Sequence, residues 1–152
     1  MIKKFLGIIL CIVLIASCKL QSFEDFESEY IHNHYDVDDI IETYENTNIK
    51  MYLLKKNEKI KLVFFEEKYG NYNVEEITAE DYYGSFLYSD AFNTFLIIFY
   101  DSDKVNNFSC SVVKNDNSII QINESNLQNR QQHIFYYVLD RDYQLLQSLS
   151  FK

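Results

Sequence analysis

Hydrophobic and polar residues alternate along most of the chain after residue 47, with the period of two that is typical of β-strands. Segment 94–101, TFLIIFYD, is apolar up to its final Asp101, as expected of a strand that is covered on both faces. Seven segments are predicted to be strands: 48–56, 59–68, 94–101, 108–113, 118–122, 133–139 and 143–151.

Short polar segments separate several of these strands. Asn57 and Glu58 stand between the first two, which predicts a hairpin over 48–68. Gly70 lies in YGNYN, and glycine accepts the positive φ that a tight turn requires. The turn-like KNDN at 114–117 predicts a second hairpin between 108–113 and 118–122.

In segment 36–47, DVDDIIETYENT, the apolar residues recur at helical intervals instead. Asp36 can cap the first turn, and the acidic residues that follow suit the positive end of a helix dipole. The positions i, i+3, i+4 and i+7 are held by Val37, Ile40, Ile41 and Tyr44. The spacing predicts a short amphipathic helix that packs one face on a sheet.

A single helical turn is also predicted over 78–84. Thr78 and Asp81 have the spacing of a capping box, and Gly84 can end the turn. Many strands with few helices favour an α+β fold. We therefore expect mainly antiparallel β-sheet, as a curled sheet or a small barrel, with one or two short helices.

The first residues have the layout of an export signal. Lys3 and Lys4 precede the apolar stretch FLGIILCIVLIAS, which ends in small residues. A membrane-spanning helix needs about 20 apolar residues, and this stretch is shorter. The pattern therefore favours a cleaved signal over a permanent transmembrane helix.

Ile15, Ala16, Ser17 and Cys18 resemble the lipobox of bacterial lipoproteins, and the resemblance covers only about the first 18 residues. It implies that the signal peptide 1–17 is removed and that the Cys18 sulfur carries a diacylglycerol. Two or more acyl chains give stable membrane anchoring. An ordinary secreted protein, in which Cys18 follows the signal by chance, is the alternative.

The residue after Cys18 bears on where the protein goes in a bacterium with two membranes. Lys19 at this position resembles lipoproteins that are sorted to the outer membrane. The resemblance therefore implies a membrane-anchored protein of the cell envelope, at the outer membrane or cell surface rather than the inner membrane.

Composition divides the rest of the chain into two parts. Residues 18–35 are polar and acidic with no clear period, which predicts a lipidated cysteine followed by an acidic tether, and 36–152 are predicted to form a single β-rich domain. From Leu20 to Ile49 the chain has nine acidic residues and no Lys or Arg, and the whole chain has a net charge of −9. Such a surface repels phosphate backbones, so no nucleic-acid partner is expected.

Cys110 is the only cysteine left for the domain if Cys11 leaves with the signal and Cys18 carries lipid. It lies in the strand-like NFSCSVV, with no basic residue within three positions that could lower its pKa. Cys110 is therefore predicted to be a small buried hydrophobic residue rather than a reactive thiol.

The segment IHNHYDVDD is the one stretch with the composition of a metal site. On an extended chain His32 and His34 would point the same way and could bind a metal together with a nearby carboxylate such as Asp36. A metal site also needs a rigid frame and second partners for its ligands, which a tether does not supply. We therefore expect no metal and no cofactor.

Paired acidic residues are the remaining candidates for catalysis. Glu66–Glu67, Glu75–Glu76 and Glu80–Asp81 could include a glycosidase-like pair, but such a pair depends on a separation and a pKa that sequence does not give. Only two glycines follow the signal, and no G-x-S-x-G motif occurs. We expect no catalytic residues, and an envelope enzyme using clustered carboxylates is the third hypothesis.

Aromatic residues are abundant, with 13 Tyr and 12 Phe. They are enriched at protein interfaces, although an AT-rich genome would enrich the same residues without a functional cause. The sequence predicts a non-enzymatic, lipid-anchored envelope protein that binds a macromolecular partner. We expect this partner to be a protein, and a basic protein would suit the acidic chain. The alternative is a carrier that holds a small hydrophobic ligand inside a barrel.

Overall fold

The computed structural model describes residues 21–79, 81–90, 93–114, 116–139 and 143–152. The chain divides into two compact units, Met1–His34 and Tyr35–Lys152. The predicted signal peptide, the lipobox and Cys18 lie outside the described residues, as does Glu80. Among the described helices, none has both the length and the apolar character that a membrane crossing requires.

The described part of the first unit is helix α1, Phe23–His34. Ser22 and Asp25 form a capping box at its start, because Ser22 Oγ accepts a hydrogen bond from the Asp25 N–H at 3.1 Å and the Asp25 carboxylate accepts one from the Ser22 N–H at 3.4 Å. The first turn is acidic and the last turn contains two histidines, which suits the helix dipole. The sequence shows no clear period here, yet the segment forms a helix from Phe23, and its role as a tether stays a prediction.

The second unit contains ten strands within the described ranges. They are β1 Ile40–Asn46, β2 Ile49–Lys56, β3 Lys59–Lys68, β4 Asn71–Thr78, β5 Tyr83–Ser89, β6 Thr94–Tyr100, β7 Phe108–Lys114, β8 Ile119–Glu124, β9 Ile134–Leu139 and β10 Tyr143–Phe151. Short 3-10 turns occupy Val37–Asp39 and Leu127–Asn129.

The strands pair into three antiparallel sheets. Sheet A has the order β1-β2-β3-β4, sheet B the order β5-β6-β9 and sheet C the order β10-β7-β8. The predicted antiparallel, curled-sheet fold with one or two short helices is confirmed. The sheets are open, so the small barrel is not the form that this chain adopts.

Sheet B lies between the other two sheets, and all seven residues of β6 are buried, as predicted for a strand covered on both faces. On one face, Ile97 and Phe99 pack into a cluster with the apolar residues of β2 and β3. On the other face, Leu96, Ile98 and Tyr100 pack with residues of β7, including Cys110. The fold is therefore a three-layer stack with β6 at its centre.

Gly84 allows the close packing of one side chain in sheet B. It pairs directly with Phe99, and a Cβ atom at position 84 would lie 2.2 Å from Phe99 Cζ, well inside contact distance. Glycine is therefore required at this strand position for the space it leaves, not for its φ angle.

The two predicted hairpins are confirmed. β2 and β3 meet across Asn57 and Glu58, and β7 and β8 form the second hairpin. The predicted turn at Gly70 is also present, with φ +74° at the junction of β3 and β4.

The predicted helix over 36–47 is wrong. Asp36 does act as a cap, since its carboxylate accepts a hydrogen bond from the Asp38 N–H at 3.2 Å, but the turn that it caps ends at Asp39. From Ile40 onwards the chain forms β1 and pairs with β2. A helix this short is marginal in water, and Ile40 and Ile41 are β-branched residues that favour a strand.

The predicted helical turn over 78–84 is also wrong. Thr78 ends β4, and Asp81 has φ +60° in a non-helical turn. Gly84 lies inside β5 rather than at a helix end. Phe99 packs so close to it that there is no room for a Cβ atom at this position.

Candidate partner-binding surface

A row of four stacked aromatic rings crosses from sheet A to sheet B. Tyr44 stacks on Tyr136 with ring centroids 5.1 Å apart, Tyr136 stacks on Phe95 at 5.1 Å, and Phe95 stacks on Tyr88 at 5.7 Å. We call Tyr44, Tyr136, Phe95 and Tyr88 the aromatic row. Its three tyrosines are partly exposed, whereas Phe95 is buried.

Strand register brings the rings of sheet B together. Tyr88 on β5 lies directly opposite Phe95 on β6, and Phe95 lies opposite Val138 on β9. Because side chains alternate along a strand, Tyr136 shares a face with Val138, next to Phe95. Val138 is 61% exposed, so the row is continued by an apolar side chain that is open to solvent.

The phenol groups of the row remain protonated at physiological pH. Burial raises the pKa of Tyr88, and Glu66, which accepts a hydrogen bond from the Tyr88 hydroxyl, raises it further. Burial likewise raises the pKa of Tyr136, and the nearby Tyr44 and Asp90 add to the shift. The row therefore presents neutral hydroxyl groups together with two carboxylates.

The two carboxylates have fixed positions. Asp90 closes the β5–β6 turn, where its Oδ1 accepts a hydrogen bond from the Asn93 N–H at 2.7 Å. The Glu66 side chain is 13% exposed, and its carboxylate lies 3.9 Å from the Lys68 ammonium group. Carboxylates held at the edge of partly exposed tyrosine rings suit a positively charged group.

The histidine segment does not form the site that its composition suggested. His32 and His34 lie on helix α1, where residues two apart point to different sides, so they do not share a face as they would on an extended chain. His34 Nδ1 lies 2.8 Å from the Tyr30 carbonyl oxygen. Throughout the described ranges, His, Cys, Asp and Glu do not gather in any group of three or more that could hold a metal.

The paired acids are separated by the alternation of their strands. Glu76 forms an ion pair with Lys61 at 2.8 Å and accepts a hydrogen bond from the Tyr35 hydroxyl, whereas its neighbour Glu75 points to the other face of β4. Glu66 contacts Tyr88, and Glu67 points away from it. These neighbours therefore do not converge on one site.

Cys110 is fully buried on β7, which confirms the prediction of a small hydrophobic residue in the core. Burial raises the pKa of its thiol to about 11, so the reactive thiolate form is disfavoured at neutral pH.

The aromatic row was not predicted as a set of residues. Composition gave the abundance of Tyr and Phe, but the four rings come from four strands, two of which, β1 and β5, were not predicted. The alternation in YGSFLYS, which forms β5, was the available signal for Tyr88.

Comparison of the chain with protein-family models, with curated proteins and with solved structures gives no match.

Proposed function

We propose that this chain is a non-enzymatic, lipid-anchored protein of a bacterial envelope, and that the aromatic row docks a basic segment of a protein partner. The anchor is proposed from the lipobox-like Ile15–Cys18 segment. The docking surface is proposed from the structure. The single observation that carries it is the continuous stack of partly exposed tyrosines beside two fixed carboxylates.

Tyrosines in such a row suit binding because they lose little conformational freedom. Each ring is already held by its neighbours, so a partner that covers it pays a small entropic cost. The hydroxyl groups of Tyr88 and Tyr136 offer polar contacts at the edge of an apolar surface.

Charge favours a basic partner. Glu66 and Asp90 lie beside the row, and their negative charge favours the Lys and Arg side chains of a partner. The whole chain has a net charge of −9, which also attracts a basic protein from a distance. An acidic or neutral segment would gain none of these contacts.

The test introduces a positive charge at the surface and leaves the buried core residues unchanged. In Val138→Lys, an exposed residue on edge strand β9 gains a charge that repels a basic partner. The matched control is Ile119→Lys, because Ile119 is 52% exposed and lies on β8, an edge strand of sheet C. Full-length tagged chains are crosslinked in living cells, and captured proteins are quantified by mass spectrometry.

We expect Val138→Lys to lower capture of the partner by at least about tenfold, since a like charge at an interface costs more than 1.4 kcal/mol. Ile119→Lys should leave capture unchanged, and the crosslinked peptide of the partner should be rich in Lys and Arg. Equal capture by both variants, or repeated capture of no specific protein, would refute the docking surface.

The anchor has its own test. Cells fed a radioactive fatty acid should label the full-length chain, and Cys18→Ala should abolish the label, because the thioether sulfur is then missing. Cys110→Ala serves as the control and should keep the label, since Cys110 is buried on β7. Labelling that survives Cys18→Ala would contradict the proposed lipid anchor.

The alternative function, carriage of a hydrophobic ligand inside a barrel, has less support. The sheets are open, and buried side chains such as Phe64, Ile97 and Phe108 occupy the space between the layers. A hydrophobic compound that copurifies with the chain would favour it.

A further inference from the structure

A cleft of about 360 Å³ lies at the turn between β2 and β3. Its walls include Tyr35 and Leu54, the carboxylate residue Asp39, and the three lysines 56, 59 and 61. Leu54 is 3% exposed and forms an apolar floor, and strand register places the three lysines on the same face of the hairpin as Leu54. The size is within the range of small-molecule sites.

Strand register brings the lysines together, and the repulsion between their charges lowers the stability of the hairpin. Lys56 and Lys59 face each other directly across the hairpin, where like charges repel. In the turn between them, Asn57 has φ +50° and Glu58 has φ +65°. Residues other than Gly and Asn disfavour a positive φ, so this conformation is unfavourable for Glu58. Both angles are those of the two-residue turn that hairpins prefer, and the turn keeps Lys56 and Lys59 next to each other.

Two of the lysines are held in place by carboxylates. The ammonium group of Lys56 lies 3.0 Å from Asp39, and that of Lys61 lies 2.8 Å from Glu76 and 5.5 Å from the centre of the Tyr35 ring. Lys59 forms no ion pair with any side chain in the part of the chain that the structure describes. One positive charge at the cleft is therefore left for a ligand.

We propose that this cleft binds a small amphipathic anion. The anionic group would lie between the ammonium groups of Lys56, Lys59 and Lys61, and the apolar part would lie on Leu54 and the ring of Tyr35. A cationic ligand would meet the remaining positive charge of Lys59, and a purely polar anion would leave the apolar floor uncovered. The proposal is independent of the aromatic row, which lies on other residues.

Benzoate and benzyl alcohol are the probes, because they share a ring and differ in charge. The full chain is held in nanodiscs of phosphatidylcholine, whose headgroups carry no net charge, and the two methyl resonances of Leu54 are followed by NMR. We expect benzoate to shift both resonances in a saturable way. Benzyl alcohol should bind at least about tenfold more weakly, because it lacks the charge that makes one charge-assisted hydrogen bond. Inorganic phosphate should also bind more weakly than benzoate.

Variants then assign the charge. Lys59→Gln should weaken benzoate binding by about tenfold, and it leaves the fold intact because this side chain is exposed. Lys68→Gln is the matched control, since it removes the same charge from the other end of β3 and should leave binding unchanged. The proposal is overturned if benzoate gives no saturable shift, if benzyl alcohol or phosphate binds as well as benzoate, or if the two variants behave alike.

Discussion

The Glu42 carboxylate on β1 accepts a hydrogen bond from the backbone N–H of His133, just before β9. Burial raises the pKa of this carboxyl group above its ordinary value of 4.5, and the backbone hydrogen bond and the charge of His133 oppose the rise without cancelling it. The folded state therefore favours the protonated form of Glu42 more than the unfolded state does.

This shift predicts how Glu42→Gln changes the pH dependence of stability. A raised folded-state pKa gives stability that is fully present below the ordinary pKa and is lost as the pH rises through the folded-state pKa. The glutamine variant should therefore gain stability over the natural chain as the pH rises above about 4.5.

Urea unfolding of the full chain between pH 4 and pH 7 measures this difference. Glu45→Gln is the control on the same strand, where the side chain is 64% exposed and lies 3.7 Å from Lys50. The stability of Glu42→Gln relative to Glu45→Gln should increase as the pH rises. A stability difference for Glu42→Gln that falls as the pH rises would contradict the assignment.

At the level of strands and helices, the sequence predicted what depends on local pattern. The hairpin at Asn57 and Glu58, the turn at Gly70 and the buried strand β6 follow from residues close together in the chain. From Asp36 onwards, the spacing of the apolar residues fits a helix as well as a strand. The segment forms strand β1 because it pairs with β2 along its length. Tertiary pairing overrides local preference in such cases.

The pairing of distant strands could not be predicted. β9 and β10 are neighbours in sequence, yet β9 pairs with β6 and β10 pairs with β7, in different sheets. Short-range patterns carry no information on these partners. The aromatic row and the lysine cleft both depend on such long-range register, so their residues were not recognisable as sites from the sequence.

At the level of the whole molecule, polar links join sheet A to sheet B or to its connecting segments, around an apolar core. They include the Glu42 bond to the His133 N–H, the Tyr88 bond to Glu66, and the ion pair of Lys55 with Asp101 at 2.8 Å. Each link requires two specific polar groups to meet, unlike the apolar contacts between the same layers. Such links fix the relative position of two sheets, which apolar contacts alone leave free to slide.

The Lys55–Asp101 pair is the link whose loss should cost most. The Asp101 side chain is 2% exposed, and it also accepts a hydrogen bond from the Asp103 N–H at 3.1 Å. The hydrogen bond to Asp101 raises the pKa of Lys55, so the lysine stays charged. Lys55→Met would leave a buried carboxylate with no countercharge, and we expect it to lower the free energy of unfolding by about 3 kcal/mol.

Urea unfolding of the full chain checks this against a neighbouring lysine. Lys56→Met removes an ammonium group that is 68% exposed and lies 3.0 Å from Asp39, and it should cost less than about 1 kcal/mol. The double variant Lys55→Met with Asp101→Asn should recover most of the loss, because a neutral amide needs no countercharge and still accepts the Asp103 hydrogen bond. If the two lysine variants lose equal stability, or if the double variant is no more stable than Lys55→Met, the pair does not stabilise the contact between the sheets through its charge.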